Sequence, residues 1–456
     1  MDNVLDLFDQ TVFLGERATG ATNLLQCVWI YNRAIDIDGL RQFHGHLAQG
    51  RLSRRIEPSP LPFGRHRWVA PKGQSALEIV ATPRSREELD AWLGEQANTP
   101  LDAEHGPGWH LAVLPFTGGG AAVSLVISHC LSDGVGLCEA LADAATGRDD
   151  PINWPAAGSR GWWRAVREDA HQTARDLPGI GRAVVAAARM ARRNSAGAGS
   201  SAAAPCEPPV ASGRADERIT LPTATIFVDA GEWDARAQSL GGTSNTLLSG
   251  LAAQLAQRVG RIAADGSVAV TMPVNERAAG DTRANAITNV DFTVDPAPAT
   301  TDLSEIRATI KQALIRAADE TNERWELLHL APLLPQWLVR RCVGVSANGA
   351  ASVISSNLGA VDPASRRPDG TDADHFVMKP LGPGVTKAVM HRLGGLLVLL
   401  SGRTNGRVFV SVLAYQPGGS NSNSALAQTL SSTLSDFALT ATLGWPDPVP
   451  VAGLTA

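Results

Sequence analysis

The sequence predicts an α/β protein of two domains, and three features support this prediction. The short apolar run Ala121–Ser128 is typical of a buried strand, and a Gly-containing turn and a helical pattern over Leu137–Ala145 follow it. In the second half, Ser267–Val274 again predicts a buried strand between helical patterns. Between the halves, Ser195–Asp216 is mostly Ala, Gly, Ser and Pro and has almost nothing to bury.

The chain of 456 residues is longer than a single hydrophobic core usually supports. We therefore expect a first domain over residues 1–194, a flexible linker over 195–217 and a second domain over 218–456.

Composition limits the functions that the chain can serve. The formal net charge of −5 gives no general attraction to nucleic acid. The longest apolar runs, such as Leu396–Leu400, are too short to cross a membrane, and no signal peptide is recognisable at the start. The cysteines are odd in number and show no metal-binding spacing: Cys27, Cys130, Cys138, Cys206 and Cys342. We expect a reduced, cytoplasmic protein that holds no metal and no cofactor.

The remaining elements of the first half follow from local patterns. Thr22–Tyr31 is rich in Leu, Val, Trp and Ile and predicts a strand, and apolar residues at helical spacing predict a helix over 38–47. Leu89–Leu93 predicts another helix. Gly161–Arg193 mixes apolar residues with arginines, which indicates one or two basic amphipathic helices with a break near Pro178.

The second half shows the same alternation of strands and helices. Strands are predicted at Thr223–Val228, Ser267–Val274, Ala351–Gly359, Leu396–Ser401 and Val408–Ala414. Helices are predicted at Glu232–Leu240, Ser244–Val259, Leu303–Asp319, Leu333–Val343 and Ser422–Leu439.

The buried strand Ala121–Ser128 delivers His129 to a tight loop, where Asp133 and Gly134 follow as HCLSDG. This segment resembles the HHxxxDG signature of the superfamily that contains condensation domains and chloramphenicol acetyltransferases. In that signature the second His is catalytic, and it corresponds to His129. Ser128 stands where the signature has its first His.

Further segments extend the resemblance in chain order. Four further segments are similar to elements of this superfamily: IDIDGLRQFHGHLAQGRLSRRI, PLDAEHGPGWHLAVLP, the Asn275-Glu276-Arg277 stretch with GDTRANAITN, and ASVISSNLG. The DFGWG motif of chloramphenicol acetyltransferases and many condensation domains is missing. The comparable region, Asp372–Lys379, reads DADHFVMK. The chain is therefore most similar to the wax-ester/diacylglycerol acyltransferase and polyketide-associated branches.

The resemblance implies two chloramphenicol-acetyltransferase-like α/β sandwich domains, arranged as a V with an interdomain tunnel. It also implies that Asp133 turns inward to form an ion pair, for which Arg277 is the expected partner. Gly134, the next residue, is expected to have a structural role in the same loop. The residues alone leave Asp133 equally suited to a catalytic triad. Candidate residues of the tunnel are Ser128, Asn289, Ser355, Ser356 and Asn357.

An imidazole side chain is suited to act as the base in acyl transfer. Moving an acyl group from a thioester to a hydroxyl or amine requires a base for the proton of the acceptor, and a His with a reference pKa of about 6.5 suits that role. We expect His129 to be this general base. Cys130 adjoins it but faces the opposite side of the strand, so a nucleophilic cysteine is not expected.

Three functions remain open at this stage. The first is a stand-alone acyltransferase that uses acyl-CoA or an acyl-carrier protein and an alcohol or amine of a lipid or secondary metabolite. The second is a wax-ester/diacylglycerol synthase proper. The third, suggested by Ser128 and the missing DFGWG motif, is a degenerate, non-catalytic binding protein.

The sequence offers two basic surfaces for a donor. One is the predicted helical region Gly161–Arg193, which suits an acidic carrier, an anionic membrane surface in peripheral contact, or merely solvation. The other consists of Arg51, Arg54, Arg55, Arg65 and Arg67.

Overall fold

The computed structural model describes residues 3–73, 75–148, 152–197, 217–319, 323–342 and 352–446. The predicted linker at 195–217 lies outside these ranges except for its two ends. The boundary between the two domains therefore stays a prediction.

The helices cover both halves of the chain. They are α1 (Leu7–Thr19), α2 (Ile37–Leu47), α3 (Leu89–Ala97), α4 (Gly134–Thr146), α5 (Trp162–Gly197), α6 (Ala230–Ser239), α7 (Ser244–Arg258), α8 (Ser304–Asp319), α9 (Glu323–Leu327), α10 (Gln336–Cys342), α11 (Lys387–Arg392) and α12 (Asn423–Asp436).

The strands alternate with these helices, as expected of an α/β protein. They are β1 (Leu24–Tyr31), β2 (Arg55–Glu57), β3 (Arg67–Val69), β4 (Leu77–Ile79), β5 (Trp109–Pro115), β6 (Ala121–Ser128), β7 (Thr223–Asp229), β8 (Val268–Asn275), β9 (Ile287–Val294), β10 (Val353–Ala360), β11 (His375–Leu381), β12 (Leu396–Thr404), β13 (Arg407–Tyr415) and β14 (Ala441–Leu443).

Two mixed sheets form the framework. The first has the order β11-β1-β6-β5-β4, and the second has the order β14-β7-β13-β12-β10-β8-β9. Strands β1 and β6 are buried along their whole length, which explains why both are mainly apolar. The strand that leads to His129 is thus the third of five, in the interior of the first sheet.

The first sheet takes its edge strand from the second half of the chain. β11 pairs antiparallel with β1, with Lys379 opposite Gln26 and Leu381 opposite Leu24. No strand was predicted over this segment. The hydrophobic core of the first half accordingly includes residues from far along the sequence, such as Phe376 and Phe409.

The basic helix α5 is continuous, and the predicted break near Pro178 is wrong. Proline removes one backbone hydrogen bond, but packing against the short 3₁₀ helix Leu328–Leu333 holds this part of α5 in place. Gly179 lies so close to His329 that a Cβ would have no room.

Among the described residues, no helix combines the length and the apolarity that crossing a membrane requires.

Candidate active site

His129 lies at the end of β6, where the strand meets the loop that leads into α4. Its amide donates to the carbonyl of Asn23 (2.9 Å), and its carbonyl accepts from Nδ2 of Asn285 (3.2 Å). The side chain is half-buried, and no hydrogen bond to its imidazole is found within the described ranges. The backbone of His129 is therefore fixed by both halves of the chain, whereas its ring nitrogens have no hydrogen-bond partner among the described residues.

Asp133 does not serve His129. It begins α4 as the N-cap, where Oδ1 accepts from the amide of Gly136 (2.6 Å). Its Oδ2 accepts from Nη2 of Arg277 (2.7 Å) and from the amide of Ala286 (2.8 Å). Since both carboxylate oxygens have partners in the loop and the second half, the structure supports the ion pair and not the catalytic triad.

Arg277 is the partner that the sequence analysis expected for Asp133. The side chains of the pair are only 1% and 4% exposed. The same guanidinium donates to the carbonyls of Arg283 (2.9 Å) and Ala284 (3.0 Å). One buried cation thus closes the 277–284 loop on itself and fastens it to the loop that follows His129.

Two glycines allow the loop to approach its neighbours closely. A Cβ on Gly136 would lie 2.7 Å from Nη2 of Arg277, and one on Gly134 would lie 2.7 Å from Cδ2 of Leu358. Leu358 belongs to β10, so the SSNLG segment does reach the HCLSDG loop. Side chains larger than hydrogen would push these elements apart.

Asp9 is a third member of this arrangement, and sequence reasoning missed it. From α1, its carboxylate accepts from the amides of Ala284 (2.9 Å) and Asn285 (2.8 Å) and from Nδ2 of Asn285 (3.0 Å). Burial raises the pKa of Asp9 from its ordinary 3.8 to about 6, although these hydrogen bonds and the charge of Arg54 oppose the shift. Three consecutive amides, at 284, 285 and 286, are thereby held by two carboxylates of the first half.

The arginines at 51 and 54 brace the same region, so the expectation of a basic surface there is wrong. Arg54 is buried and donates to the carbonyls of Leu131 (2.8 Å) and Thr282 (2.5 Å). Arg51 pairs with Glu139 (3.2 Å) and donates to the carbonyl of Asp281. Each guanidinium is occupied by groups on both sides of the junction between the two halves.

The other arginines of that predicted surface are also occupied. Arg55 donates to the carbonyl of Glu104 (2.5 Å). Arg65 pairs with Asp176 (3.3 Å), and Arg67 with Asp169 (3.1 Å), which attaches β3 to α5. These contacts explain the arginines structurally without a ligand.

Cys130 is not a nucleophile in this site. Its thiol is buried, its pKa is raised well above the usual range by that burial, and its Sγ lies 3.2 Å from Oε2 of Glu16. Burial also raises the pKa of Glu16, from 4.5 to about 7. Oε1 of Glu16 accepts from the amide of Asn23, the residue whose carbonyl holds His129.

The candidate residues of the tunnel lie in different surroundings. The side chain of Ser128 is buried and accepts from the amide of Cys130 (3.2 Å), and Asn289 is exposed on β9. Ser355 is buried, and Asn357, on the same face of β10, bonds Asn245 at the start of α7. Ser356 lies on the other face of β10, as Leu358 does. Their role in a tunnel stays a prediction.

A cavity of about 400 Å³ opens between the two halves, but it lies elsewhere. Its lining comes from β1, α3, β11, β13, α12 and the segments 219–225 and 443–445. Neither His129 nor any of the predicted tunnel residues belongs to this lining.

Comparison with solved structures shows where this fold occurs. The first condensation domain of the CDA synthetase has a TM-score of 0.58 at 14% identity, with 96% of each chain covered. Polyketide synthase associated protein 5 from Mycobacterium tuberculosis has a TM-score of 0.57 at 15% identity, covering 95% of this chain and 97% of that one. A longer nonribosomal peptide synthetase, FmoA3, has a TM-score of 0.54 at 16% identity. The similarity covers 94% of this chain and 41% of that one. Likeness at this level of identity shows a shared fold.

A family model also matches part of the sequence. Residues 47–248 match the model of the wax ester synthase/diacylglycerol acyltransferase catalytic domain, a range that contains β6 and His129. No curated protein matches the sequence. Residues 47–248 are thus similar to an acyltransferase catalytic domain, and the chain as a whole shares the fold of condensation domains and of a polyketide synthase associated protein.

Proposed function

We propose that His129 is the general base in the transfer of an acyl group from a thioester, acyl-CoA or an acyl-carrier protein, to a hydroxyl or amine of a lipid or secondary metabolite. One observation carries this proposal. His129 has a fixed backbone and an imidazole without a hydrogen-bond partner among the described residues, whereas the neighbouring Asp133 and Cys130 are fully engaged.

The proposed reaction is balanced in protons and bonds. The acceptor O–H or N–H gives its proton to the imidazole while its O or N attacks the thioester carbonyl. The tetrahedral intermediate then loses the thiolate, which takes the proton from the imidazolium. The products are an ester or amide and a free thiol, and His129 returns to its starting state. A base in this position contributes about 10²–10⁴-fold in rate.

A wax-ester/diacylglycerol synthase proper is the second candidate, because residues 47–248 match that catalytic domain. The two candidates differ in the acceptor. A synthase proper uses a long-chain alcohol or a diacylglycerol, whereas the broader proposal includes hydroxyls and amines of secondary metabolites.

The helix α5 is the surface we propose for a donor or membrane. Apolar side chains are strongly exposed on it, among them Trp163 (78%), Trp162 (61%) and Leu177 (58%). Exposed arginines, including Arg167 and Arg189, lie on the same helix. We favour an acidic carrier protein as the partner, with an anionic membrane surface as the alternative, because either matches an apolar stripe flanked by cations.

The test is a product screen by mass spectrometry. The protein is incubated with palmitoyl-CoA, octanoyl-CoA or the matching acyl-carrier proteins, each with hexadecanol, a diacylglycerol or a primary amine. We expect an ester or amide product that falls at least about a hundredfold with His129→Ala, a variant that removes no side-chain hydrogen bond found among the described residues. Binding of donors without any product over the panel would instead support the non-catalytic binding protein.

A further inference from the structure

We propose that the cavity between the two halves binds a small organic carboxylate with an apolar body, and that Lys379 holds its carboxylate. The site is separate from His129 and does not depend on the proposed acyl transfer.

Lys379 is the first observation. It lies on β11 opposite Gln26 of β1, is only 8% exposed, and lines the cavity. Within the described parts of the chain, its ammonium group has neither a hydrogen bond nor an ion pair. A buried charge without a partner is costly, and an anion placed beside it in the cavity offsets that cost.

Asp90, the acid whose charge acts on Lys379, does not form an ion pair with it. Oδ1 of Asp90 accepts instead from Nε1 of Trp445 (3.0 Å). Asp90 is exposed at the rim of the cavity, whereas Lys379 lies in its interior. Burial lowers the pKa of Lys379, as expected for an amine without a counterion.

Helix α12 supplies the second observation. It has fourteen residues, and its first turn, with Asn423 and Ser424, lines the cavity. The N-terminus of a helix carries a partial positive charge that favours anions. One ammonium group together with one helix terminus suits a singly charged anion, which favours a carboxylate over a phosphate.

The rest of the lining defines the body of the ligand. Its apolar part includes Leu93, Ala97, Leu221, Leu381, Leu413 and Ala427. A charged head against Lys379 and a hydrocarbon body against these leucines would bury both parts of one molecule. The volume of about 400 Å³ accommodates a small molecule of this kind.

Isothermal titration calorimetry with sodium octanoate tests the proposal, with octan-1-ol and sodium acetate as probes that lack the charge or the body. We expect octanoate to bind the wild type, and Lys379→Met to weaken this binding at least about tenfold. His129→Ala should bind octanoate as the wild type does. Octan-1-ol and acetate should bind far more weakly.

Two further measurements keep the test decisive. Ala97→Trp fills the apolar part of the cavity and retains the lysine, so it should also weaken octanoate binding even if Lys379→Met fails to fold. Octanoate should raise the melting temperature of the wild type but not that of either cavity variant. Equal octanoate binding by the wild type and both cavity variants, or binding lost only in His129→Ala, would overturn the proposal.

Discussion

Asp133 and Arg277 stand 144 residues apart in sequence and meet at 2.7 Å in a buried ion pair between the loop after His129 and the second half of the chain. Their contact decides the role of the aspartate. A carboxylate that accepts from a guanidinium and two amides shapes its loop and is not free to serve His129 as a triad member.

This pair predicts strong coupling between the two positions. Asp133→Asn and Arg277→Met should each lower the free energy of unfolding by about 3–5 kcal/mol, because each leaves a buried group without its partner. The double variant should lose less than the sum of the single variants. Chemical denaturation of all four proteins measures the coupling. Additive losses, or a rate effect of Asp133→Asn without loss of stability, would return Asp133 to a catalytic role.

His129→Ala should lower kcat at least about a hundredfold, since it removes the proposed base. Stability should change little, because the imidazole has no hydrogen-bond partner among the described residues. Single-turnover kinetics and thermal unfolding provide the two readouts. Near-normal turnover in a folded variant would eliminate His129 as the base.

Ser128→His restores the residue of the signature and separates packing from chemistry. The serine side chain is 1% exposed and faces away from His129. A larger ring there should lower stability by about 1–3 kcal/mol through overpacking. We expect kcat to change little, as measured beside the wild type at saturating donor. A large gain in kcat would show that the first His of the signature takes part in the reaction.

Glu16 predicts a pH dependence of stability. Its pKa is raised from 4.5 to about 7, so the folded state binds the proton more tightly than the unfolded chain does. The stabilising contribution is therefore present below about pH 4.5 and is lost as the pH rises to about 7. Glu16→Gln should make this decline shallower, as followed by urea denaturation across the range. The exposed Glu87→Gln is the control, and parallel curves for Glu16→Gln and the wild type would contradict the expectation.

Charge reversal on α5 tests its proposed partner. Arg167→Glu with Arg189→Glu should raise KM for an acyl-carrier donor without changing kcat, and added salt should weaken the wild type in the same way. Arg41→Glu, an exposed site on α2, is the matched control. Unchanged KM together with loss of binding to anionic vesicles would assign α5 to a membrane surface instead. No change in either assay would leave the arginines with a solvating role only.

The sequence predicted the part of the site that lies close together along the chain, and the family resemblance added one contact between distant residues. The burial pattern of β6 and the glycines after it placed His129 at the end of a strand, and the motif resemblance supplied Arg277 as the partner of Asp133. These inferences needed only local periodicity and one recognised signature.

The other long-range contacts of the site were not predictable in this way. Asp9 looked like one polar residue within an apolar stretch, and nothing local shows that it holds amides at 284 and 285. Arg54 looked like a surface cation, although its guanidinium bonds carbonyls 77 and 228 residues away. A buried polar side chain and an exposed one have the same letter in a sequence, and only the tertiary structure distinguishes them.

The origin of β11 has a consequence for expressing parts of this protein. A fragment that ends near residue 197 would contain the signature and His129 but would lack β11. The buried strand β1 would then become an edge, with a row of open backbone donors and acceptors and apolar side chains on both faces. Such a fragment would associate with other copies through that edge, so His129 should be studied in the full chain or with β11 supplied as a separate peptide.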